Sequence, residues 1–114
     1  MTSGMQTILY PVSDISAAKQ LYGALFEVEP IMDEPYYVGY KIDGQDVGLD
    51  PGGHDKGMTG PLGYWHVDDI HQTLQALGHA GATTHQTITD VGGGKLIASV
   101  KDADGNLVGL LQMP

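Results

Sequence analysis

Part of this chain is written twice. Val12-Ser13-Asp14-Ile15 returns as Val67-Asp68-Asp69-Ile70, an offset of 55 residues, and Asp43-Gly44-Gln45-Asp46-Val47-Gly48-Leu49 returns as Asp104-Gly105-Asn106-Leu107-Val108-Gly109-Leu110, an offset of 61. The two matches keep their order, so a longer connection in the second copy absorbs the difference. A copy is roughly half of 114 residues, too short to bury a comfortable core alone. The repeat therefore points to one domain over residues 1–114 built from a duplicated unit. Module one runs from about 5 to 51, a connector covers 52–61, and module two runs from about 62 to 112.

Each copy follows the same order of elements. Thr7-Ile8-Leu9-Tyr10 reads as a strand because β-branched and aromatic residues stand between turn formers. Asp14 is placed to cap a helix whose apolar residues, Ile15, Ala18, Tyr22 and Leu25, recur at helical spacing. In the second copy Tyr64-Trp65-His66-Val67 is the strand, Asp69 the cap, Ile70, Leu74 and Leu77 the stripe, and Gly81 the stop. Three strands follow each helix, near 26–32, 36–42 and 46–50, then near 83–89, 95–100 and 106–111. Asp43-Gly44 and Asp104-Gly105 are hairpin signals, since glycine tolerates positive φ. The connector, Pro51 to Pro61, is rich in glycine. The expected fold is α+β: two tandem βαβββ modules with helices covering one side of mixed or antiparallel sheets.

Charge narrows the partners. Five lysines and no arginine oppose eleven aspartates and three glutamates, a formal net charge of -9. A chain so poor in cations is ill suited to displace counterions from nucleic acid or to dock on an anionic membrane. The acidic surplus favours a cationic ligand or simply solubility. There is no cysteine, which removes thiol chemistry and cysteine-held metals and fits a reducing compartment. Residues 1–5 carry no basic or apolar signal segment, so a cytoplasmic location is expected.

The element order, with Val-Ser-Asp-Ile and Val-Asp-Asp-Ile opening the helices and Lys101-Asp102-Ala103-Asp104-Gly105-Asn106 entering the last hairpin, resembles the vicinal oxygen chelate superfamily. That group comprises glyoxalase I, bleomycin resistance proteins and extradiol dioxygenases, and the resemblance covers residues 5 to 112. It implies sheets that curl around a concave cavity with helices outside, and a homodimer. It also implies a divalent metal held by His, Gln or Glu on the first and last strand of each module. Counted from the helix-opening aspartates and the Asp-Gly hairpins, those positions here are Thr7, Leu62, Gly48 and Gly109. Glycine and leucine offer no donor, and a neutral threonine hydroxyl is a weak ligand. All three glutamates lie between Glu27 and Glu34. No metal and no cofactor are therefore expected at these positions.

If the ligand positions face the cavity, alternation along a strand adds their neighbours. Thr7, Leu9, Pro11, Asp46, Gly48 and Asp50 face it from module one, and Leu62, Tyr64, His66, Leu107, Gly109 and Leu111 from module two. The opposite parity, Ile8, Tyr10, Val12, Val47, Leu49, Trp65, Val67, Val108 and Leu110, is apolar enough to pack under the helices. The expected ligand-binding residues are Thr7, Leu9, Asp46, Asp50, Leu62, Tyr64, His66, Leu107 and Leu111. Their mixture of aliphatic, phenol, imidazole and carboxylate groups suits a small organic molecule. Tyr36 and Tyr40 fall on one face and Tyr37 on the other, a pattern of ordinary sheet packing. His54, His71, His79 and His85 read as solvent-facing, and no spacing pairs Ser99 with His66.

The leading expectation is a metal-free small-molecule binder that sequesters a cationic or aromatic compound, as the bleomycin resistance branch implies, with antibiotic resistance as its setting. The alternative is a lyase, isomerase or dioxygenase-like enzyme in which His66 and Tyr64 are the catalytic candidates, or which uses a displaced metal site drawn from Asp46, Asp50 and His66. A regulatory subunit that uses the connector as a partner loop is a third reading.

Overall fold

The computed structural model describes residues 2–114. In chain order the elements are β1 (Thr2–Pro11), α1 (Ile15–Phe26), β2 (Met32–Glu34), β3 (Tyr37–Ile42), β4 (Gln45–Asp50), a 3-10 turn (His54–Lys56), β5 (Leu62–Val67), α2 (Ile70–His79), β6 (Thr83–Asp90), β7 (Leu96–Lys101) and β8 (Leu107–Gln112). The class is α+β, and each half runs βαβββ as the repeat predicts. No helix among the described residues is long and apolar enough to cross a membrane.

The chain divides into two compact units, one over Thr7–Leu62 and the other over Gly63–Pro114 together with the stretch up to Gln6. The first unit has the strand order β2-β3-β4-β1 and the second β5-β8-β7-β6. In each, the module's first strand lies parallel to its last, β1 beside β4 and β5 beside β8, and the remaining pairs are antiparallel.

The helices begin where their aspartates stand. Asp14 Oδ1 accepts from the Ala17 N–H and Asp69 Oδ1 from the Gln72 N–H, both at 3.1 Å, so each carboxylate satisfies a donor that the first turn leaves open. α1 packs Ile15, Ala18, Tyr22 and Phe26 on Val12, Val38, Tyr40, Val47 and Leu49. α2 packs Leu74 and Leu77 with Ile70 on Val67, Ala98 and Leu110. The strand residues Val12, Val47, Leu49, Val67 and Leu110 have the predicted helix-facing parity, but Leu25, expected in the α1 stripe, is 69% exposed and Phe26 packs in its place. Complete burial of Leu49 and Ile70 is worth about 1.5–3 kcal/mol each.

The structure differs from the sequence expectation at two boundaries and in the exposure of Trp65. β1 extends back to Thr2, and its first half clusters with the second unit: Thr2 Oγ1 donates to the His66 carbonyl at 2.7 Å, and Met5 sits where a Cβ on Gly63 would fall. No strand forms over 26–31; β2 is Met32–Glu34 and meets the expected range only at Met32. α1 continues through Phe26, whose ring packs between Tyr22 and Tyr40 at centroid distances of 5.7 and 5.1 Å, and Glu27 ends it at φ 57°. Trp65 has the helix-facing parity but is 39% exposed. It is not part of the cluster that α2 covers, which is built on Val67, Ile70, Ala98 and Leu110.

The Asp43-Gly44 hairpin is tight, with φ of 50° and 84°, both in the left-handed region that this turn type requires. The second hairpin is looser. There Asp102 Oδ1 accepts from the Asp104 and Asn106 N–H groups, and Oδ2 from Asn106 Nδ2, all at 2.9 Å. These bonds, that of the Asn106 side chain first, hold the Asp102 carboxyl below its ordinary range.

Candidate functional site

In the first unit the face opposite α1 is set by register. Thr7, Leu9 and Pro11 on β1 lie beside Asp46, Gly48 and Asp50 on β4, and Gly39 and Lys41 on β3 lie beside Gly48 and Asp46. Tyr37, two residues before Gly39, joins that face. A Cβ on Gly39 would meet Tyr37 Cε2 at 3.2 Å, and one on Gly48 would overlap Tyr37 Oη, with Cζ at 2.6 Å and Leu9 Cδ2 at 2.5 Å. The phenol therefore reclines along a shelf that two glycines leave open. Burial pushes its pKa up, and the negative charges of Asp46 and Asp50 add to the effect. Alternation in the sequence separates Tyr37 from Tyr40 but does not say which of the two faces the site. The signal for including it is glycine at 39 and 48, in register with each other.

The two carboxylates of this face already hold cations. Lys41 Nζ donates to Asp46 Oδ1 at 3.2 Å. Asp50 is 6% exposed, with Oδ1 accepting from the Gly52 N–H at 2.8 Å and Oδ2 from Lys56 Nζ at 2.9 Å. A buried carboxylate needs such partners, and here they tie the connector to the end of β4.

In the second unit, Tyr64 and His66 on β5 lie beside Gly109 and Leu111 on β8, and Ser99 and Ile97 on β7 lie beside the same two residues. Tyr64, His66, Leu111 and Ser99 are all buried, and Leu107 is half-buried. A Cβ on Gly109 would meet the Gly63 carbonyl oxygen at 2.7 Å and Tyr64 Cδ2 at 2.8 Å. Ser99 Oγ is hydrogen-bonded to His85 Nδ1 at 3.1 Å. His85 is exposed as expected, but it serves the buried serine. Leu62, buried, is the last residue of the first unit. Tyr36 does not share a face with Tyr40. It lies in the turn between β2 and β3 and is 65% exposed, whereas Tyr40 is core.

The metal that the fold family implies does not fit these residues. Of its four positions, Gly48 and Gly109 have no side chain and are covered by the phenol rings of Tyr37 and Tyr64. Leu62 has no donor, and Thr7 offers a buried neutral hydroxyl. A displaced site fares no better within the first unit. Asp46 and Asp50 stand four residues apart on one strand, about 13 Å at the rise of a β-strand, and each faces its own lysine. Among the described residues no three His, Cys, Asp or Glu side chains converge.

The family model of the Glyoxalase/Bleomycin resistance protein/Dioxygenase superfamily matches residues 4–110. Among solved structures, the fold is similar to that of the NAD-dependent benzaldehyde dehydrogenase from Legionella pneumophila, with 14% identity over 95% of this chain and 98% of that one and a TM-score of 0.75. It is similar to a glyoxalase/bleomycin resistance protein/dioxygenase superfamily member from Vibrio splendidus 12B01, with 20% identity over 93% and 95% and a TM-score of 0.72. It is also similar to methylmalonyl-CoA epimerase from Mycobacterium tuberculosis, with 15% identity over 99% and 89% and a TM-score of 0.69. At these identities the likeness is one of fold. No functionally curated protein matches the chain.

Proposed function

The chain belongs to the glyoxalase/bleomycin resistance protein/dioxygenase superfamily, and we propose that within it this protein is a metal-free binder of a small aromatic compound, which it sequesters rather than transforms. The observation that carries this reading is the phenol ring of Tyr37 lying over Gly39 and Gly48, where the family's enzymes would place a metal ligand. Tyr37 and Leu9 give the first unit an aromatic and aliphatic face; Tyr64, Leu107 and Leu111 give the second another. Such walls, with a few polar groups to orient the guest, suit a small organic ligand. The lysine partners of Asp46 and Asp50 favour an aromatic guest here over a cationic one. The protein would work as a homodimer in the cytoplasm.

Displacement of an environment-sensitive dye by a panel of aromatic metabolites and antibiotics tests this. Saturable displacement that weakens in Tyr37→Ala and Leu62→Trp is the expected result; no saturable binding, or none affected by either change, would sink the reading. One observation keeps an enzymatic alternative open: His66 and Tyr64 stand buried, two residues apart, on one face of β5. For that reading, His66→Ala must abolish turnover of the bound compound with the fold intact.

A further inference from the structure

On the side of the first unit opposite the Tyr37 face, a cleft of about 440 Å³ opens between the C-terminal half of α1, the segment after it, β2 and β3. Its walls carry Lys19, Glu27, Glu29, Asp33 and Tyr40, with Val28 and Pro30 as apolar lining. Lys19 Nζ is held by Asp33 Oδ2 at 2.9 Å, so those two charges cancel locally and Glu27 and Glu29 are left over. The cleft also lies at the C-terminal end of α1, where the unpaired carbonyls carry the negative end of the helix dipole. The last turn of α1 supplies no basic residue to offset it.

An acidic rim alone would be a solvated surface. Tyr40 makes this one different. Its side chain is core, 2% exposed and packed edge-on against Phe26, yet its hydroxyl points at Gly23 on the cleft wall, 3.9 Å from where a Cβ would be. Among the described residues that hydroxyl has no hydrogen-bond partner, and it is not sealed off. Charges on Lys19, Asp33 and Glu29 all reach the phenol, whose pKa burial pushes up. A buried ring thus presents one polar atom to the floor of a negatively charged cleft.

We propose that this cleft binds a small organic cation bearing a primary ammonium group, with Tyr40 Oη, Glu27 and Glu29 as its three acceptors and Val28 and Pro30 against its alkyl stem. An ammonium has three N–H donors and no acceptor, and the cleft lining offers it the Tyr40 hydroxyl and the carboxylates of Glu27 and Glu29. A bare metal ion would leave most of 440 Å³ unfilled. The site is independent of the Tyr37 face and of whatever binds there.

The probe is n-butylammonium chloride, titrated into the isotopically labelled full-length protein and followed by amide NMR, with sodium butyrate and tetramethylammonium as controls. Butylammonium should give saturable shifts centred on Gly23, Glu27 and Glu29, and butyrate none. Tyr40→Phe and Glu29→Gln should each weaken binding about tenfold, the scale of one hydrogen bond to a charged group. Tyr37→Ala should leave it unchanged, which separates this site from the sheet face. Glu29 is exposed, so its variant keeps the test valid if Tyr40→Phe disturbs the core. Shifts that do not saturate, that centre elsewhere, that survive both substitutions, or that appear equally with tetramethylammonium would overturn the proposal.

Discussion

Tyr37 lies over Gly48 so closely that a methyl group on that glycine would stand 2.6 Å from the ring carbon bearing the hydroxyl. Gly48→Ala should therefore cost about 1–3 kcal/mol, the usual range for overpacking. The clash is with side chains, so it is removable. In a Tyr37→Ala background the same substitution should cost less, the remaining contact being the flexible end of Leu9, whose Cδ2 stands at 2.5 Å, and a double-mutant cycle by urea denaturation reads that coupling directly. Additive costs would mean that the ring does not occupy this shelf.

Gly109 holds the equivalent place in the second unit, but its nearest obstacle is the backbone oxygen of Gly63 at 2.7 Å, with Tyr64 behind it. Backbone in a paired strand cannot step aside. Gly109→Ala should be destabilising with or without Tyr64→Ala, in contrast to the rescue at Gly48. Equal rescue at the two glycines would contradict the register of β5 on β8.

The two caps make a matched pair. Asp14→Ala and Asp69→Ala each remove a 3.1 Å bond to the first turn, and each should lower the unfolding free energy by about 1 kcal/mol. Chemical denaturation of the single variants and the double variant checks this, and a loss near zero at either would show that the helix is begun by packing alone.

Tyr37 also gives the protein a pH dependence. Its phenol titrates above the ordinary tyrosine value because of burial and the carboxylates of Asp46 and Asp50, so the folded state keeps its proton longer than the unfolded state does. The contribution is complete below about pH 10, the unfolded value, and is lost as pH rises through the raised folded value. Wild type should thus lose stability more steeply than Tyr37→Phe above about pH 10. Parallel curves would show that the phenol titrates normally.

Much of this was readable from the residues. The two short matches set the modules, Asp14 and Asp69 set the helix starts, and the alternation of Ile8, Tyr10, Val12 against Thr7, Leu9, Pro11 separated the core face from the other. Parity says which face a side chain leaves, however, and not where it comes to rest. That Tyr37 reclines over Gly48, that Lys41 pairs with Asp46 and that Ser99 pairs with His85 depend on neighbouring strands, and that Lys56 covers Asp50 depends on how the connector folds back. The same limit hid the cleft at Tyr40, whose ring reads as core while its hydroxyl belongs to the surface. Residues 2–6 lack a β-branched run, and in the structure they group with the second unit, Thr2 bonding to the His66 carbonyl.

The central claim is that the binding face works without a metal. Calorimetric titration of an aromatic ligand identified by the dye screen, performed before and after exhaustive treatment with a chelator, tests it most directly. The account predicts the same affinity and stoichiometry in both titrations, with no change on adding manganese, nickel or zinc. Binding that disappears on chelation and returns with one of these ions would contradict it.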